Sequence, residues 1–234
     1  MTVGFDNLPV NFQLLVGIPM REAVGALAYD RARPHHTVAL VDAPVWTQHA
    51  LSNLTHLDFT PNDYGDSPHA ADIDFAPANP FTLACWVNPD DLSAIRGLIC
   101  KANGSTMGYE LYIAINGAIY VVTFRAGPVT DSTFSAAAEI TTGTWWFVTA
   151  TYDGSGDCLV YKNGRNVTDT AAATHAPAAS GEPLHIACLQ TGTGPVTRAS
   201  HLDGKLWNPR IWSRALPSIE IWEIFEMERA LFDV

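Results

Sequence analysis

The feature that most restricts the fold is a series of short, β-favouring runs that begins at Phe81. Runs such as FTLACWVN, YELYIAI, AIYVVTF and WWFVTATY are rich in Val, Ile, Tyr, Phe, Trp and Thr, and turn residues separate them. Strand-length runs of this composition are typical of an antiparallel sandwich or barrel. The sequence therefore predicts an all-β fold.

Two Asn-Gly pairs lie between such runs and predict hairpins. They are Asn116-Gly117 and Asn163-Gly164, each flanked by alternating apolar residues. A type I′ turn needs positive φ at both central residues, which Asn and Gly tolerate best. We therefore expect tight two-strand connections at both places.

The C-terminal run SIEIWEIFEMERALF is the one convincing helix in the sequence. Ser218 is placed to cap it, and Ile221, Trp222 and Phe225 fall near one face, with Met227 as a further candidate. The sequence thus predicts a short helix that packs on the β domain.

Charge argues against two classes of partner. The chain has 13 Lys and Arg against 24 Asp and Glu, a net charge of −11. Such a field repels phosphate backbones and anionic lipid, so neither nucleic acid nor membrane is predicted as a partner. The N-terminal run has no basic region and only a short, interrupted apolar stretch, and we expect neither a signal peptide nor a membrane span.

The four cysteines are far apart and have no CxxC spacing. They lie inside runs such as LACWV and HIACL that have the composition of strand interiors. We therefore predict buried free thiols rather than a disulfide framework or a metal site.

Four phrases in order carry a resemblance to a known family: FTLACWVNP, GYELYIAINGAIYVVTF, TWWFVTATYDGSGDCLVYKNGR and LDGKLWNPRIWSRALPSIEIWEIF. Together they resemble the concanavalin A-like, laminin G-like jelly-roll superfamily, from about Val16 to about Phe225. The resemblance implies one domain over residues 1–234. Its expected architecture is an antiparallel β-sandwich of two curved sheets, followed by a short C-terminal helix.

The chain resembles stand-alone copies of this domain that are virion-associated proteins of tailed bacteriophages. The resemblance therefore implies a decoration or adhesion protein in the virion, whose partners are a glycan or other viral structural proteins, and oligomerisation is left open. A purely structural virion protein without a glycan site is the alternative. A glycan-active enzyme of the same sandwich fold is the weaker alternative.

Catalysis is not predicted. Laminarinase-type enzymes of this fold place Glu-x-Asp-x-x-Glu on one strand, because a retaining pair of carboxylates must stand about 5 Å apart. No Glu in the sequence has an Asp two residues later, and no Gly-x-Ser-x-Gly, His-Glu-x-x-His or phosphate-binding loop is present. We expect a binding protein rather than an enzyme.

The resemblance also implies a structural Ca²⁺ as a cofactor, with Asp30, Asp203 and Asn208 as candidate ligands. Asp30 stands where the family has its opening-loop aspartate, but the loop reads DRARPHH and lacks further oxygen donors. The usual acidic position near the last strand matches Trp207, which Asn208 follows. Calcium is therefore one alternative, and an ion-free fold is the other.

Strand alternation suggests a glycan-binding surface. In YELYIAI, Glu110 and Tyr112 share a face, and we expect Thr123 and Arg125 of AIYVVTFR to join them. An aromatic ring beside short polar groups suits a sugar, although an ordinary solvated face has the same pattern. The candidate carbohydrate-binding residues are Glu110, Tyr112, Thr123, Arg125, Trp146 and Trp207.

The run TWWFVTATYDG contains one aromatic ring that the fold does not require. Trp145 takes the position where the family's strand opens with Trp, and it is interpreted as part of the frame. Trp146 and Phe147 must lie on opposite faces of the strand. One of these two rings is therefore predicted to face away from the core and to cover a sheet or meet a partner.

Overall fold

The computed structural model describes residues 8–33, 35–125, 127, 129–172, 174–191 and 197–234. Two large antiparallel sheets, here called sheet I and sheet II, contain most of the strands. Sheet I consists of β1 (Leu14–Gly17), β4 (Val45–Gln48), β5 (Thr55–Phe59), β7 (Phe81–Pro89), β12 (Trp146–Tyr152), β13 (Cys158–Lys162), β14 (Arg165–Asn166) and β19 (Gly204–Trp212). Its order is β14-β13-β12-β7-β19-β5-β4, and β1 also pairs with β19.

Sheet II has the order β15-β11-β10-β9-β8-β16-β6-β3-β2. Its strands are β2 (Leu27–Tyr29), β3 (Thr37–Val41), β6 (Tyr64–Ser67), β8 (Arg96–Ala102), β9 (Gly108–Ile113), β10 (Ile119–Arg125), β11 (Val129–Ser135), β15 (Thr168–Thr170) and β16 (Leu184–Ile186). A separate hairpin pairs β17 (Leu189–Thr191) with β18 (Thr197–Ala199).

The hydrophobic core lies between the two sheets. Leu83 and Val148 of sheet I and Leu111 and Val121 of sheet II are all fully buried members of one apolar cluster. Aromatic rings join the layers, since the ring centroid of Phe81 lies 5.1 Å from that of Tyr109. The predicted antiparallel sandwich is confirmed.

Of the two Asn-Gly pairs, Asn163-Gly164 has the predicted backbone, with φ of 48° and 76° between β13 and β14. At Asn116-Gly117 only Gly117 has positive φ, so the β9–β10 hairpin forms through a different turn. A Cβ on Gly164 would lie 2.9 Å from Trp222, so this turn also packs closely against the C-terminal helix.

The C-terminal segment, residues 218–234, packs on the face of sheet I that points away from sheet II, here called the outer face. Its helix α1 spans Ser218–Glu228 and a 3-10 turn follows at Arg229–Leu231. Ser218 is the first helical residue and not the cap, because Pro217 holds the cap position without a side-chain bond. The helix buries Ile221, Ile224 and Phe225. Met227 is 61% exposed, so it does not join the packed face.

Strand β19 has a bulge between Trp207 and Arg210. Asn208 lies within it with a φ of 51°. A bulge adds a residue to one strand. Trp207 and Arg210 therefore both pair with residues of the outer face, Trp86 and Ala84, although they are three positions apart.

The cysteines are free and buried, as predicted: Cys85, Cys100, Cys158 and Cys188. Burial raises the pKa of the Cys85 and Cys188 thiols to about 12. Cys100 belongs to a second, small apolar cluster on the outer face of sheet II, which Leu189 of the β17–β18 hairpin helps to cover.

Candidate functional site

The predicted glycan-binding face does not form, because the strand register separates its members. Glu110 pairs with Val122, while Thr123 pairs with Tyr109 of the core side. Paired residues share a face, so Glu110 and Tyr112 lie on the outer face of sheet II and Thr123 lies on the opposite one. The prediction that these four side chains share a surface is wrong.

Glu110 is not presented to solvent. It is 6% exposed, its carboxylate accepts a hydrogen bond from the Cys100 thiol at 3.7 Å, and burial raises its pKa to about 7. The Tyr112 ring stacks on Tyr120 with centroids 5.0 Å apart, and Tyr120 stacks on Phe134 at 4.5 Å. Rings stacked in a row cover one another's faces, and a sugar needs a free ring face.

The two polar residues of β10 belong to internal networks. Thr123 is fully buried, with its hydroxyl oxygen 2.8 Å from Nδ1 of His175. Arg125 is partly exposed and forms an ion pair with Asp131 at 3.3 Å. Both side chains therefore have partners within the fold.

The aromatic pair Trp146 and Phe147 divides as alternation requires. The Trp146 indole donates to the carbonyl of Thr141 at 3.0 Å, and its ring lies under Lys162. Phe147 faces outward, where Trp86 and Arg210 cover it. The ring that faces away from the core is thus covered by the protein's own side chains.

The candidate calcium ligands do not come together. The Asp30 carboxylate accepts hydrogen bonds from the backbone N–H groups of Gly17, Ala32 and His36. Asp203 and Asn208 are separated by roughly 15 Å along an extended strand, from a rise of about 3.3 Å per residue. Within the described part of the chain, no three or more His, Cys, Asp or Glu side chains are grouped to hold a metal. Calcium binding stays a prediction without a donor set to support it.

Phe232 anchors the C-terminal segment in an aromatic cluster on the outer face of sheet I. Its ring centroid lies 4.3 Å from Trp86, 4.5 Å from Trp145 and 5.5 Å from Trp207. Two open clefts take part of their walls from different parts of the C-terminal segment.

The first cleft, here called the polar cleft, has a volume of about 510 Å³. Strands β4, β5, β7 and β19 and the end of the chain form it, with these lining residues: Thr47, Gln48, His49, Ala50, Leu51, His56, Asp58, Asn88, Gly143, Thr144, Trp145, Lys205, Phe232, Asp233 and Val234. Lys205 forms an ion pair with Asp90 at 2.8 Å and lies 3.9 Å from Asp58. Asp58 is therefore the less engaged of the two carboxylates.

Burial sets the protonation of two groups in the polar cleft. It raises the pKa of Asp58, against the opposing effect of Lys205. It also lowers the pKa of His56 to about 4, so that this ring is neutral near pH 7. Thr47 Oγ1 and Asn88 Oδ1 have no hydrogen-bond partner among the described residues. The cleft thus contains hydrogen-bonding groups that the fold does not use.

The second cleft, here called the basic cleft, has a volume of about 520 Å³ and lies between the N-terminal segment, the β19 bulge and α1. Its lining residues are Leu8, Pro9, Val10, Asn11, Pro19, Arg21, Arg31, His35, Trp207, Asn208, Arg210, Ile224, Met227 and Glu228. The structure brings Trp207 and Asn208 of the predicted sites together here.

The comparison with protein families decides the identity of the fold. A family model described as "Concanavalin A-like lectin/glucanases superfamily" matches residues 60–222, which is most of the chain. The chain belongs to this superfamily. A search of curated protein sequences finds no significant match.

Solved structures similar to this superfamily member include toxin binding domains. The binding domain of Paraclostridial Mosquitocidal Protein 1 matches with a TM-score of 0.75 and 12% identity, over 93% of this chain and 53% of that one. Two structures of the botulinum neurotoxin DC binding domain also match over 93% of this chain and 52% of theirs. The complex with rat synaptotagmin II has a TM-score of 0.69 at 12% identity, and the complex with SialylT has 0.66 at 10%. The chain spans about half the length of these domains, and the likeness establishes the fold.

Several residues that line the polar cleft have no recognisable sequence signal. Asp58, Asn88 and Lys205 come from three strands that are not adjacent in sequence, and no local motif marks them. Trp145, interpreted as frame, lines the polar cleft as well as packing on Phe232. In the described part of the chain no helix has the length and apolar character that crossing a membrane requires.

Proposed function

We propose that the protein is a non-catalytic carbohydrate-recognition module that binds a glycan in the polar cleft. The observation that carries the proposal is the set of hydrogen-bonding groups in the cleft that the fold leaves unpaired or weakly paired. Asp58, Asn88 and Thr47 are poorly engaged by the fold, and Trp145 lies among them.

These groups match the chemistry of a sugar. A carboxylate accepts bonds from two neighbouring hydroxyls, and an amide both donates and accepts. Lys205 adds a donor at the edge of the cleft, and a volume of about 510 Å³ is within the range of small-molecule sites. The known complex of the neurotoxin DC domain with SialylT supports the class of ligand, although not any residue here.

Catalysis is not part of the proposal. Glycoside hydrolysis requires a pair of carboxylates, and in a retaining enzyme the two stand about 5 Å apart on either side of the bond. Strand β5 presents His56 and Asp58 on its outer face, so it supplies one carboxylate and no second acid beside it. Asp58 is half-buried, and the other carboxylate that lines the cleft, Asp233, lies in the C-terminal segment rather than on a strand beside it.

A glycan array tests the proposal with the unmodified chain and with Asp58→Asn and Asn88→Ala, each with calcium and with EDTA. Loss of a charged hydrogen bond costs about 1.5–3 kcal/mol, so Asp58→Asn should weaken binding by about 10- to 100-fold. Asp169→Asn is the matched control, because Asp169 is exposed on β15 of the other sheet. Silence on all glycans, or unchanged binding by Asp58→Asn, would refute the polar cleft as the site. Binding that EDTA abolishes would support the proposed calcium ion.

The setting in which the module acts stays a prediction from the sequence resemblance. We propose that it decorates a virion or mediates its adhesion to a surface. Mass spectrometry of purified particles should then find the chain together with capsid or tail proteins. Particle association without any glycan binding would instead favour the purely structural role, and absence from particles would reject the virion setting.

A further inference from the structure

We propose that the basic cleft is a second, separate binding site for a small organic anion, whose carboxylate or sulfate meets the basic and hydrogen-bond-donating groups of the cleft and whose apolar body covers the apolar wall. This site does not depend on the proposed glycan site. The two clefts border different parts of the C-terminal segment and share no lining residue.

The side chains that line the basic cleft carry more positive than negative charge. Its lining contains three arginines and one acid, Glu228, in a chain whose net charge is −11. Both Glu228 oxygens accept bonds from Arg210 at 2.8 Å, and one also accepts the Trp86 indole N–H. The acid is therefore fully engaged, and it neutralises Arg210 alone.

The other two arginines are left without a counter-charge. Arg21 and Arg31 are exposed, and in the described part of the chain neither side chain has a hydrogen bond or an ion pair. A guanidinium presents several donors in a plane and binds carboxylate or sulfate in two-point fashion. Two such groups at one opening form a receptor for an oxyanion.

Nearby acids do not cancel this charge. Glu22 and Asp30 line a neighbouring depression that Arg21, Arg31 and His35 also border. The Asp30 carboxylate accepts hydrogen bonds from three backbone N–H groups and makes no ion pair with Arg21 or Arg31 within the described residues. Glu22 is half-buried and makes no ion pair with either arginine within the described residues.

Two buried N–H donors that belong to lining residues of the cleft have no acceptor among the described residues. Nε1 of Trp207 and Nε of Arg210 have no hydrogen-bond partner among the described residues, and both side chains are buried and line the cleft. An unpaired buried donor costs about 1–3 kcal/mol, so a ligand that brings oxygen acceptors is favoured here. Asn208, held beside them by the bulge, adds an amide.

The remaining lining sets the shape of the ligand. The walls include Leu8, Val10, Pro19 and Ile224, and Met227 is 61% exposed beside them. A fully solvated ion would leave these apolar surfaces in water. An anion with an apolar body covers them and keeps its charge at Arg21 and Arg31.

Calorimetric titration with three matched probes tests the proposal: hexanoate, hexyl sulfate and neutral hexanol. We expect both anions to bind at least about 10-fold more tightly than hexanol, because charge-assisted hydrogen bonds are roughly twice as strong as neutral ones. Arg21→Gln and Arg31→Gln should each weaken the anions by about 10-fold and leave hexanol unchanged. Arg165→Gln is the matched control, since Arg165 is exposed and lies over Trp222, away from this cleft.

Equal affinity for the anions and hexanol would overturn the proposal, as would unchanged anion binding by both cleft variants or an equal loss in Arg165→Gln. Asp58→Asn separates this site from the glycan site. It should leave hexanoate binding unchanged even when it abolishes glycan binding. Loss of hexanoate binding in Asp58→Asn would show that the two clefts are not independent and would also count against the proposal.

Discussion

The polar cleft and the basic cleft share one sheet face but differ in chemistry. Strand β19 contributes Lys205 to the first and Asn208 and Arg210 to the second. Lys205 lies close to two carboxylates, those of Asp58 and Asp90, whereas Arg21 and Arg31 of the basic cleft have no ion pair among the described residues. One part of β19 therefore lies beside an excess of acceptors, and the neighbouring part lies beside an excess of donors.

The difference arises from what covers the sheet. Phe232 and α1 occupy the middle of the outer face and exclude water from its aromatic residues. Polar groups at the two margins remain accessible, and the margin to which each belongs depends on the register and on the β19 bulge. A large apolar plug can thus divide one surface into two sites without any change in the sheet.

Removal of the Phe232 ring should have the largest effect on both clefts. Phe232→Ala should lower the free energy of unfolding by about 3–5 kcal/mol, the cost of truncating a buried aromatic ring. It should also weaken ligands at the polar cleft, since Phe232 forms part of that wall. Urea denaturation measures the first effect and titration the second.

Ile219→Ala is the control for this substitution, because Ile219 is 60% exposed on the same helix. Its free energy of unfolding should change by less than about 0.5 kcal/mol. If Phe232→Ala proved as stable as Ile219→Ala, the aromatic cluster would not hold the C-terminal segment, and the division into two clefts would fail.

The outer face of sheet II extends the comparison, because there the buried polar group is an acid in an apolar cluster. Burial raises the pKa of Glu110 from 4.5 to about 7, so the folded chain binds more protons than the unfolded chain between these values. The contribution of Glu110 to stability is therefore largest below about pH 4.5, falls as pH rises to about 7, and is constant above that. At about 1.4 kcal/mol per pKa unit, the fall amounts to roughly 3 kcal/mol.

Denaturation of the unmodified chain and of Glu110→Gln across pH 4 to 9 measures this fall, because this interval includes both pKa values. The amide does not titrate, so the stability difference between the two proteins should shift in favour of Glu110→Gln as pH rises. Glu223→Gln, at an exposed position of α1, should show no such shift. A pH-independent difference would mean that Glu110 is already solvated and available to a ligand.

Salt distinguishes the two clefts by a smaller effect. Raising the ionic strength from about 0.05 to 0.5 M shortens the screening length severalfold. Hexanoate binding in the basic cleft should then weaken by roughly three- to ten-fold, because its attraction is between charges at an exposed opening. Glycan binding in the polar cleft should change by less than about two-fold. Equal salt dependence at both sites would show that charge does not separate them.

Local signals were sufficient for much of the fold. The β-favouring runs, the turn at Asn163-Gly164 and the buried cysteines follow from composition and alternation, which depend on neighbouring residues in the chain. The grouping of Glu110 with Thr123 was wrong for a different reason. Alternation says that side chains on one strand change sides, but only the pairing of two strands says which sides coincide, and that offset is set by the hairpin turn.

The candidate sites were predictable only in part. Trp207 and Asn208 were chosen from the sequence and do line a cleft, yet the arginines that give it its charge lie far away along the chain. The polar cleft gathers Asp58, Asn88 and Lys205 from strands that pair non-locally. Such groupings have no sequence spacing that could reveal them.

By itself the sequence determined an antiparallel sandwich with buried thiols and a C-terminal helix, because local periodicity and turn chemistry specify strands, turns and apolar faces. Only the tertiary structure decided that Phe147 is covered by the protein itself and that the chain's own end seals the aromatic face of sheet I. It also decided that two clefts of different charge remain beside that seal. The burial of a side chain and the charge around it depend on residues that are distant in sequence and close in space. The order of residues along the chain does not show which of them meet.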